Sequence, residues 1–341
     1  MIVAIVETCS ASAPAKVIIT GEHWVVHGSA ALAAAVGLRS RVKCMEARGP
    51  GITIKSLRLG SFTFTLGQDS CRGPHCGFYY AASRIVEVCG EAKPATCIVD
   101  SDIPIGAGLG SSASVAVSFS AAYLALCRGG KDLSLSDVSN AASGFEKFVH
   151  GNPSGIDTAV VLHGGFIVYR RGEGIIMRIN ESLADTDAVV LIVDTGIARS
   201  TKEAVAAFTQ NLSRLGSFSK ILVNLAEQIT WEVVGSLKAR DTKRLGSLLY
   251  LSHGLLSALG VSHEKLEEIV QAARAEGALG AKLTGAGMGG TALVLAAREH
   301  SHRLEKIYES KGFKVYKATL GVPGLQINCD VSGRAAMVEG T

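Results

Sequence analysis

The sequence predicts an α+β protein of two domains. The chain has 341 residues, of which 48% are hydrophobic, so it can bury a large core and is long for one domain. Predicted strands and helices interleave in both halves without an internal repeat or a strict βαβ rhythm. The composition turns polar over residues 170–187, "RRGEGIIMRINESLADTD". Because domain boundaries fall in polar segments, we expect one domain over residues 1–185 and a second over residues 186–341.

Apolar periodicity and turn residues divide the first half into short elements. The predicted strands lie at residues 17–19, 30–47 and 95–101, with a hairpin over 51–66 that turns at Gly60. The predicted helices lie at 78–89, from about Ser112 onward, and at 136–149. The prolines and glycines of residues 150–165 are expected to end the last helix and lead into a further pair of strands.

The second half is expected to alternate strands with longer helices. A buried strand is predicted at 188–196, followed by two or three helices between 202 and 260 and another over 264–276. The segment 280–297 should form a strand on each side of a glycine loop, and "REHSHR" after it reads as a turn. Residues 313–320 and 324–331 are predicted to supply the last strands.

The composition argues against several classes of partner. A formal charge of +4 without a basic run does not favour nucleic acid. No apolar stretch is long enough to cross a bilayer, so no membrane partner is expected. Eight scattered cysteines suit a reducing cytoplasm, although thermophiles can keep intracellular disulfides. Cys71, His75 and Cys76 could ligate zinc, but no second close pair completes four ligands, so a loop with packed thiols is the preferred interpretation.

The stretch "DIPIGAGLGSSASVAVSFSAAYLALC", residues 102–127, places alternating glycines and serines before a predicted helix. Unpaired N–H groups at a helix N-terminus attract anions, and glycines allow close approach, so we expect a phosphate there. The stretch lacks the lysine of a P-loop, and its G-x-G-x-G spacing is not that of a Rossmann fingerprint. A glycine turn with a serine cap is an equally good interpretation of this loop alone.

A second glycine loop, "GAGMGG" at residues 285–290, has dinucleotide-binding spacing, and Glu305 lies where a ribose-binding acid would stand. A strand, "TALVLAA", follows the loop where the dinucleotide motif needs a helix. We therefore do not expect nicotinamide or flavin binding.

Two further stretches carry candidate catalytic residues. In "EKFVHGNPSGIDTAV", Glu146 and Asp157 flank a helix break, and paired carboxylates near a phosphate loop suggest that one holds Mg²⁺ while the other accepts a hydroxyl proton. In "SAPAKVIITGEHWVVHG", Lys16 stands at the entry of an apolar strand, ahead of Glu22 and His23. Taken singly, these residues are better explained as a solvated Glu, a turn-capping Asp and a snorkelling Lys.

Together, these stretches resemble the small-molecule kinases of the galactokinase, homoserine kinase, mevalonate kinase and phosphomevalonate kinase superfamily. That superfamily has three glycine-bearing motifs, and the matching segments here are "PAKVIITGEHWVVHG", "PIGAGLGSSAS" and "KLTGAGMGG". The resemblance spans roughly residues 12 to 290 and is more specific than any one motif. Within the superfamily, "GEHWVVHG", "HGNPSGIDTAV" and "DTGIARSTKE" look most like the mevalonate kinase family.

The resemblance implies a reaction and a fold. The reaction would be ATP-dependent phosphorylation of the 5-hydroxyl of (R)-mevalonate to 5-phosphomevalonate, with Mg²⁺ as cofactor, in the isoprenoid pathway. The fold would join a ribosomal-protein-like N-terminal domain to a ferredoxin-like C-terminal domain, with ATP in the cleft between them. A homodimer in the cytoplasm is also implied.

The resemblance also implies a role for each matching residue. Asp157 would be the base facing the 5-hydroxyl, with Lys16 beside it, and Ser112 and Glu146 would hold Mg²⁺. The residues against the nucleotide phosphates would be Pro104, Gly106, Ala107, Gly108, Leu109, Gly110, Ser111 and Ser112. The residues on the substrate side would be Glu22, His23, Thr201, Gly285, Ala286 and Gly287.

Three positions depart from the superfamily pattern. Ala15 stands where a glycine is common, Trp24 replaces a small residue and is expected to narrow or reshape the substrate pocket, and Met288 interrupts the last glycine run. The alternatives are a related kinase acting on phosphomevalonate or another small alcohol, a non-catalytic regulatory relative, and a decarboxylase that phosphorylates its substrate transiently. Retention of Lys16 and Asp157 argues against the regulator, and "HGNPSGID" argues against the decarboxylase.

Overall fold

The computed structural model describes residues 5–67, 71, 73, 75–130, 133–151, 155–181, 183, 186–198 and 200–332. The strands are β1 (Ile5–Thr20), β2 (Ala31–Glu46), β3 (Ile52–Ser56), β4 (Gly60–Phe64), β5 (Ala95–Ser101), β6 (Phe166–Arg170), β7 (Gly174–Ile179), β8 (Ala188–Asp194), β9 (Gly280–Thr284), β10 (Thr291–Ala297), β11 (Lys314–Ala318) and β12 (Gln326–Ser332). The helices are α1 (Cys76–Cys89), α2 (Ser111–Cys127), α3 (Leu135–His150), α4 (Ile156–His163), α5 (Thr201–Arg214), α6 (Phe218–Lys238), α7 (Thr242–Ala258), α8 (Glu264–Ala275) and α9 (Arg298–Ser310).

A large sheet organises the first half of the chain. Its strand order is β12-β1-β2-β5-β3-β4, with β6 beside β2 and β7 beside β6, and the β3–β5 pair is its parallel pair. Helix α2 packs along β1 and β2, and its alanines and serines let the helix approach the sheet closely. Ser114 and Ser118 are buried there and donate to the carbonyls of Ala13 and Ser40. This packing places the N-terminus of α2 at the glycine loop.

A small antiparallel sheet organises the second half. Its order is β11-β8-β10-β9, so the first strand along the chain lies between the third and the last. With helices between β8 and β9 and between β10 and β11, this is the ferredoxin-like βαββαβ arrangement. The expected α+β fold class is confirmed. None of the helices in the described part of the chain has both the length and the apolar character needed to cross a bilayer.

The last strand departs from the expected division of the chain. β12 returns to the large sheet and pairs with β1, although residues 186–341 are predicted to form one C-terminal domain. The physical reason is that β1 is 16 residues long and pairs with β2 along one edge, so its other edge needs a partner. Residues 184 and 185, beside the predicted boundary, and residues 333–341, at the predicted end, lie outside the described part.

Three local predictions are wrong. The segment after the helix break forms α4 before the strands, because Ile156 and Val160 bury one helical face. The charged run predicted as a turn forms α9, where Ser301, Leu304 and Tyr308 are buried at helical spacing. The first strand extends over residues 5–20 instead of 17–19, and its pairing with β2 shifts register directly after Pro14, where a proline is tolerated.

The structure also corrects the predicted state of the cysteines. Six of the eight form disulfides, Cys9–Cys329, Cys44–Cys97 and Cys71–Cys76, whereas packed thiols are the sequence prediction for the loop with Cys71 and Cys76. The first two bridges join directly opposed residues of neighbouring strands, a register that local sequence does not reveal. Ligand atoms of Cys71, His75 and Cys76 lie within 4.8 Å of one another, but the two sulfurs are bonded to each other. The disulfide therefore occupies the thiolates that zinc would need.

Candidate functional site

The glycine loop leads directly into α2. Gly106, Gly108 and Gly110 all have positive φ, and Gly110 stands at the N-cap with no side-chain hydrogen bond to the helix amides. The serine-capped turn weighed above is therefore not what forms. Among the described residues, the N-cap of this 17-residue helix supplies no side-chain hydrogen bond to its first amides, an arrangement suited to binding phosphate.

Buried anchors hold this loop in place. Ala107 and Leu109 are buried, while Gly106 is exposed. The backbone N–H of Lys16 donates to the Leu109 carbonyl at 2.8 Å, and the Thr291 hydroxyl donates to the Ala107 carbonyl at 3.0 Å. The loop is thus fixed to β1 on one side and to the small sheet on the other.

Lys16 and Asp157 form an ion pair beside this loop. Lys16 Nζ lies 2.8 Å from Asp157 Oδ1, and the lysine side chain is only 9% exposed. Asp157 comes from the first turn of α4, which follows the left-handed Gly155. Gly110 must be glycine, because an added Cβ would stand 2.7 Å from Lys16 Cγ. The structure therefore brings together the predicted base, its lysine and the phosphate loop.

Glu146 and Ser112 form a second polar cluster. Glu146 is 2% exposed, and its Oε1 has no hydrogen-bond partner among the described residues. Burial raises the pKa of Glu146, and the charge of His150 and the Ser112 hydroxyl partly offset that rise. An unpartnered buried carboxylate oxygen beside a hydroxyl is an oxygen donor set suited to Mg²⁺. The residues present therefore fit the expected cation.

Glu22 and His23 lie in the turn after β1 and contact β9 and its loop. Glu22 forms a fully buried ion pair with Lys282 of β9, and Lys282 also donates to the Leu283 carbonyl. Burial raises the pKa of Glu22 and lowers that of Lys282, and their mutual attraction opposes both shifts. His23 Nε2 lies 2.8 Å from the Ala286 carbonyl oxygen. The turn that carries the predicted substrate residues is therefore docked on the small sheet.

The second glycine loop packs closely against the segment between α7 and α8 and the segment after β8. An added Cβ on Gly287 would stand 2.0 Å from the Val261 carbonyl oxygen, so this position also requires glycine. β10 begins at Thr291, directly after the loop, which confirms that the dinucleotide context is absent. Met288 adopts a left-handed φ of 54°, a conformation usually left to glycine.

Thr201 and Trp24 differ in exposure. Thr201 is the exposed first residue of α5, and its place on the substrate side stays a prediction. Trp24 is 1% exposed and packs edge-on against Phe208 of α5, so its bulk is accommodated in the core beneath the small sheet.

Sequence reasoning missed two polar residues of the site, His150 and Lys282. His150 ends α3 with its Nε2 2.8 Å from the Ser112 hydroxyl, and its spacing of four residues from Glu146 was the available signal. Lys282 is a single lysine inside an apolar strand, the same signal that identified Lys16.

Comparisons with known proteins identify the family. Residues 78–165 match the GHMP kinases N-terminal domain, and residues 233–312 match the GHMP kinases C-terminal family. Mevalonate kinase of Aeropyrum pernix is 38% identical over 93% of this chain and 97% of its own length. Mevalonate kinase of Thermococcus sibiricus is 36% identical over 85% of this chain and 90% of its own.

Solved structures share the fold. A crystal structure of L. major mevalonate kinase in complex with R-mevalonate has a TM-score of 0.78 and 26% identity, covering 95% of this chain and all of its own. Lactococcus lactis galactokinase complexed with galactose has a TM-score of 0.76 and 19% identity, covering 94% of this chain and 95% of its own, which shows the fold alone.

Proposed function

This chain belongs to the mevalonate kinase family of the GHMP kinases, and from that premise we propose that it transfers the γ-phosphoryl group of ATP to the 5-hydroxyl of (R)-mevalonate. The product is 5-phosphomevalonate, an intermediate of the isoprenoid pathway. The observation that carries the proposal is the Lys16–Asp157 ion pair of 2.8 Å, held against the glycine loop at the N-terminus of α2.

The loop and helix bind the nucleotide. The N–H groups of the loop and of Ser111 and Ser112 donate to phosphate oxygens, and the positive end of α2 attracts their charge. Pro104, Ala107 and Leu109 shape the loop around the glycines. Ser112 and Glu146 hold Mg²⁺, which when bound neutralises charge on the phosphates.

The ion pair handles the acceptor alcohol. Asp157 accepts the proton of the 5-hydroxyl as the alcohol oxygen forms its bond to the γ-phosphorus and the bond from that phosphorus to the departing ADP oxygen breaks. The Lys16 ammonium stabilises the negative charge around this transfer. Because phosphoryl transfer has a loose transition state, positioning and charge neutralisation contribute more than base strength.

The turn after β1 and the second glycine loop form the substrate side. His23 offers an imidazole next to Ala286, Glu22 offers a carboxylate paired with Lys282, and Thr201 stands at the start of α5. Gly285 and Gly287 let their loop lie close over the alcohol. We extend the proposal to a homodimer in the cytoplasm, for which light scattering of the purified protein is the test of assembly.

The test is a substrate panel. Purified protein with Mg-ATP is offered mevalonate, phosphomevalonate, homoserine and galactose, ADP release is followed, and the product is identified by phosphorus NMR. A single new phosphomonoester at the 5-position of mevalonate is expected. ADP release with another alcohol would keep the kinase and reject the substrate, whereas tight ATP binding without turnover on any alcohol would favour a regulatory relative.

A further inference from the structure

His150 occupies an unassigned position between two residues of the candidate cation site. It is the last residue of α3, one turn after Glu146. Its Nε2 lies 2.8 Å from Ser112 Oγ and 3.9 Å from Glu146 Oε2. The imidazole is 49% exposed, so its hydrogen bond to Ser112 does not follow from core packing.

The buried carboxylate of Glu146 is an independent observation that points to a ligand beside His150. Its side chain is 3% exposed, and its Oε1 has no hydrogen-bond partner among the described residues. Buried polar atoms are nearly always paired, because an unpaired one loses its hydration without compensation. The free oxygen therefore marks a position for a cation between α2 and α3.

The chemistry of the residues divides their roles. Mg²⁺ prefers oxygen ligands, which Ser112 and Glu146 supply, whereas imidazole suits zinc, copper and similar metals. His150 is thus poorly matched to Mg²⁺ as a direct ligand. Its hydrogen bond instead restrains the rotamer of the Ser112 side chain, whose hydroxyl also interacts with Glu146.

We propose that His150 is a positioning residue that, through Nε2, holds the Ser112 hydroxyl in the rotamer that the cation site requires. The inference rests on the proposed function, because the cation is the Mg²⁺ that accompanies the nucleotide. Hydrogen bonds that orient metal ligands typically change metal affinity by about 10–100-fold when removed.

The test replaces His150 with amide side chains of two different lengths. In His150→Gln the amide nitrogen stands at about the distance of imidazole Nε2 from the backbone, whereas in His150→Asn it stands nearer, at the level of Nδ1. His150→Ala removes the contact. His163→Ala is the matched control. This histidine ends the neighbouring helix α4, and its half-buried imidazole lies 3.2 Å from Arg178 of β7.

The readout is Mn²⁺ binding in the presence of ADP, followed by electron paramagnetic resonance, with ADP binding in EDTA measured by calorimetry. We expect the Ala and Asn variants to lose about 10–100-fold in Mn²⁺ affinity, with the Gln variant near wild type. ADP affinity without metal, melting temperature and the His163→Ala variant should not change.

The outcomes separate the inference from the proposed function. Equal Mn²⁺ affinity in all three His150 variants and the wild type would overturn the positioning role while leaving the kinase proposal standing. An equal loss in Gln, Asn and Ala, accompanied by lower melting temperatures, would reduce His150 to a structural residue. A wild-type protein that binds neither ADP nor Mn²⁺–ADP would overturn the proposed function and this inference with it.

Discussion

Asp157 and Lys16 act as one unit because each depends on the other's charge. The lysine side chain is nearly buried, and the aspartate is its partner at 2.8 Å. Gly110 contributes by lacking a Cβ, since the lysine chain lies in the space that a larger residue would fill. The chemical step of the proposed reaction is therefore most sensitive to this pair.

The variant Asp157→Asn tests the proton acceptor. We expect kcat to fall by about 10²–10⁴-fold, the usual contribution of a general base, while ADP affinity is retained. Steady-state kinetics and calorimetry measure the two quantities. Asp241→Asn is the matched control, because that aspartate caps α7 at Arg244 N and asparagine caps equally well. Near-normal turnover in Asp157→Asn would reject the assignment.

At the scale of elements, β9 joins the small sheet to the end of β1. The Lys282–Glu22 ion pair is fully buried, and Thr284 Oγ1 accepts from Ile18 N–H and donates to the Ile18 carbonyl. A buried ion pair contributes little net stability, but a single buried charge is strongly unfavourable. The two sheets are therefore joined by an ion pair in which each charge depends on the other. A substitution that removes only one of the two charges should destabilise the fold.

Removing the lysine alone should destabilise the protein. For Lys282→Met we expect the free energy of unfolding to fall by about 3–5 kcal/mol, because Glu22 stays buried without its cation. The double variant Glu22→Gln/Lys282→Met should recover most of this loss. Urea unfolding measures the free energy of unfolding of both variants. Lys265→Met is the control, because the side chain of that lysine is 44% exposed. A double variant no more stable than the single one would contradict the argument.

Helix α6 makes a second junction through Glu227. This carboxylate accepts from Ala30 N–H at 2.5 Å, from the Trp231 indole at 2.7 Å and from Arg170 at 2.5 Å. Burial acts to raise the pKa of Glu227, but these donors outweigh it and hold the pKa below the ordinary value of 4.5. A carboxyl with a lowered folded-state pKa stabilises the fold above pH 4.5, and this contribution is lost as the pH falls through the folded-state pKa.

The pH dependence of unfolding tests this junction. Glu227→Gln should be less stable than wild type at pH 7 and should lose less stability than wild type between pH 4.5 and pH 3. Urea unfolding across this pH range is the measurement. Glu173→Gln is the control, since Glu173 contacts the same Arg170 but is 60% exposed. Parallel stability curves for wild type and Glu227→Gln would show that Glu227 does not carry the effect.

At the scale of the whole molecule, the two ends of the described chain meet in one sheet. β12 pairs with β1, and the Cys9–Cys329 disulfide closes a loop of sequence separation 320 at that pairing. A cross-link over a long separation restricts the unfolded chain most in the chain-entropy model. The large sheet is therefore secured at its edge strand β12.

The variant Cys329→Ser should unfold more easily than wild type. We expect a loss of about 2–4 kcal/mol in the free energy of unfolding. A reductant should destabilise the wild type by at least as much, because it also opens Cys44–Cys97 and Cys71–Cys76. Thermal unfolding with and without reductant measures this, and Cys89→Ser, which changes an unpaired thiol, is the control. An unchanged melting temperature, with Cys329 alkylated in the unreduced wild type, would show that the bridge does not form.

The sequence by itself determined the α+β class, most strands and helices, the three glycine motifs and the family. These features depend on local periodicity, turn chemistry and short motifs, which act within a few residues. Lys16 was identifiable because it stands out at the entry of an apolar strand, whereas Glu146 and Asp157 were identified as a carboxylate pair near the glycine loop.

The tertiary structure alone decided the long-range partners. It paired β12 with β1, joined Lys282 to Glu22 and set His150 against Ser112. It also made α4 helical, although its β-branched residues favour a strand, because Ile156 and Val160 bury one helical face. Strand register and sheet docking follow from which surfaces bury each other, and that burial is a property of distant segments together.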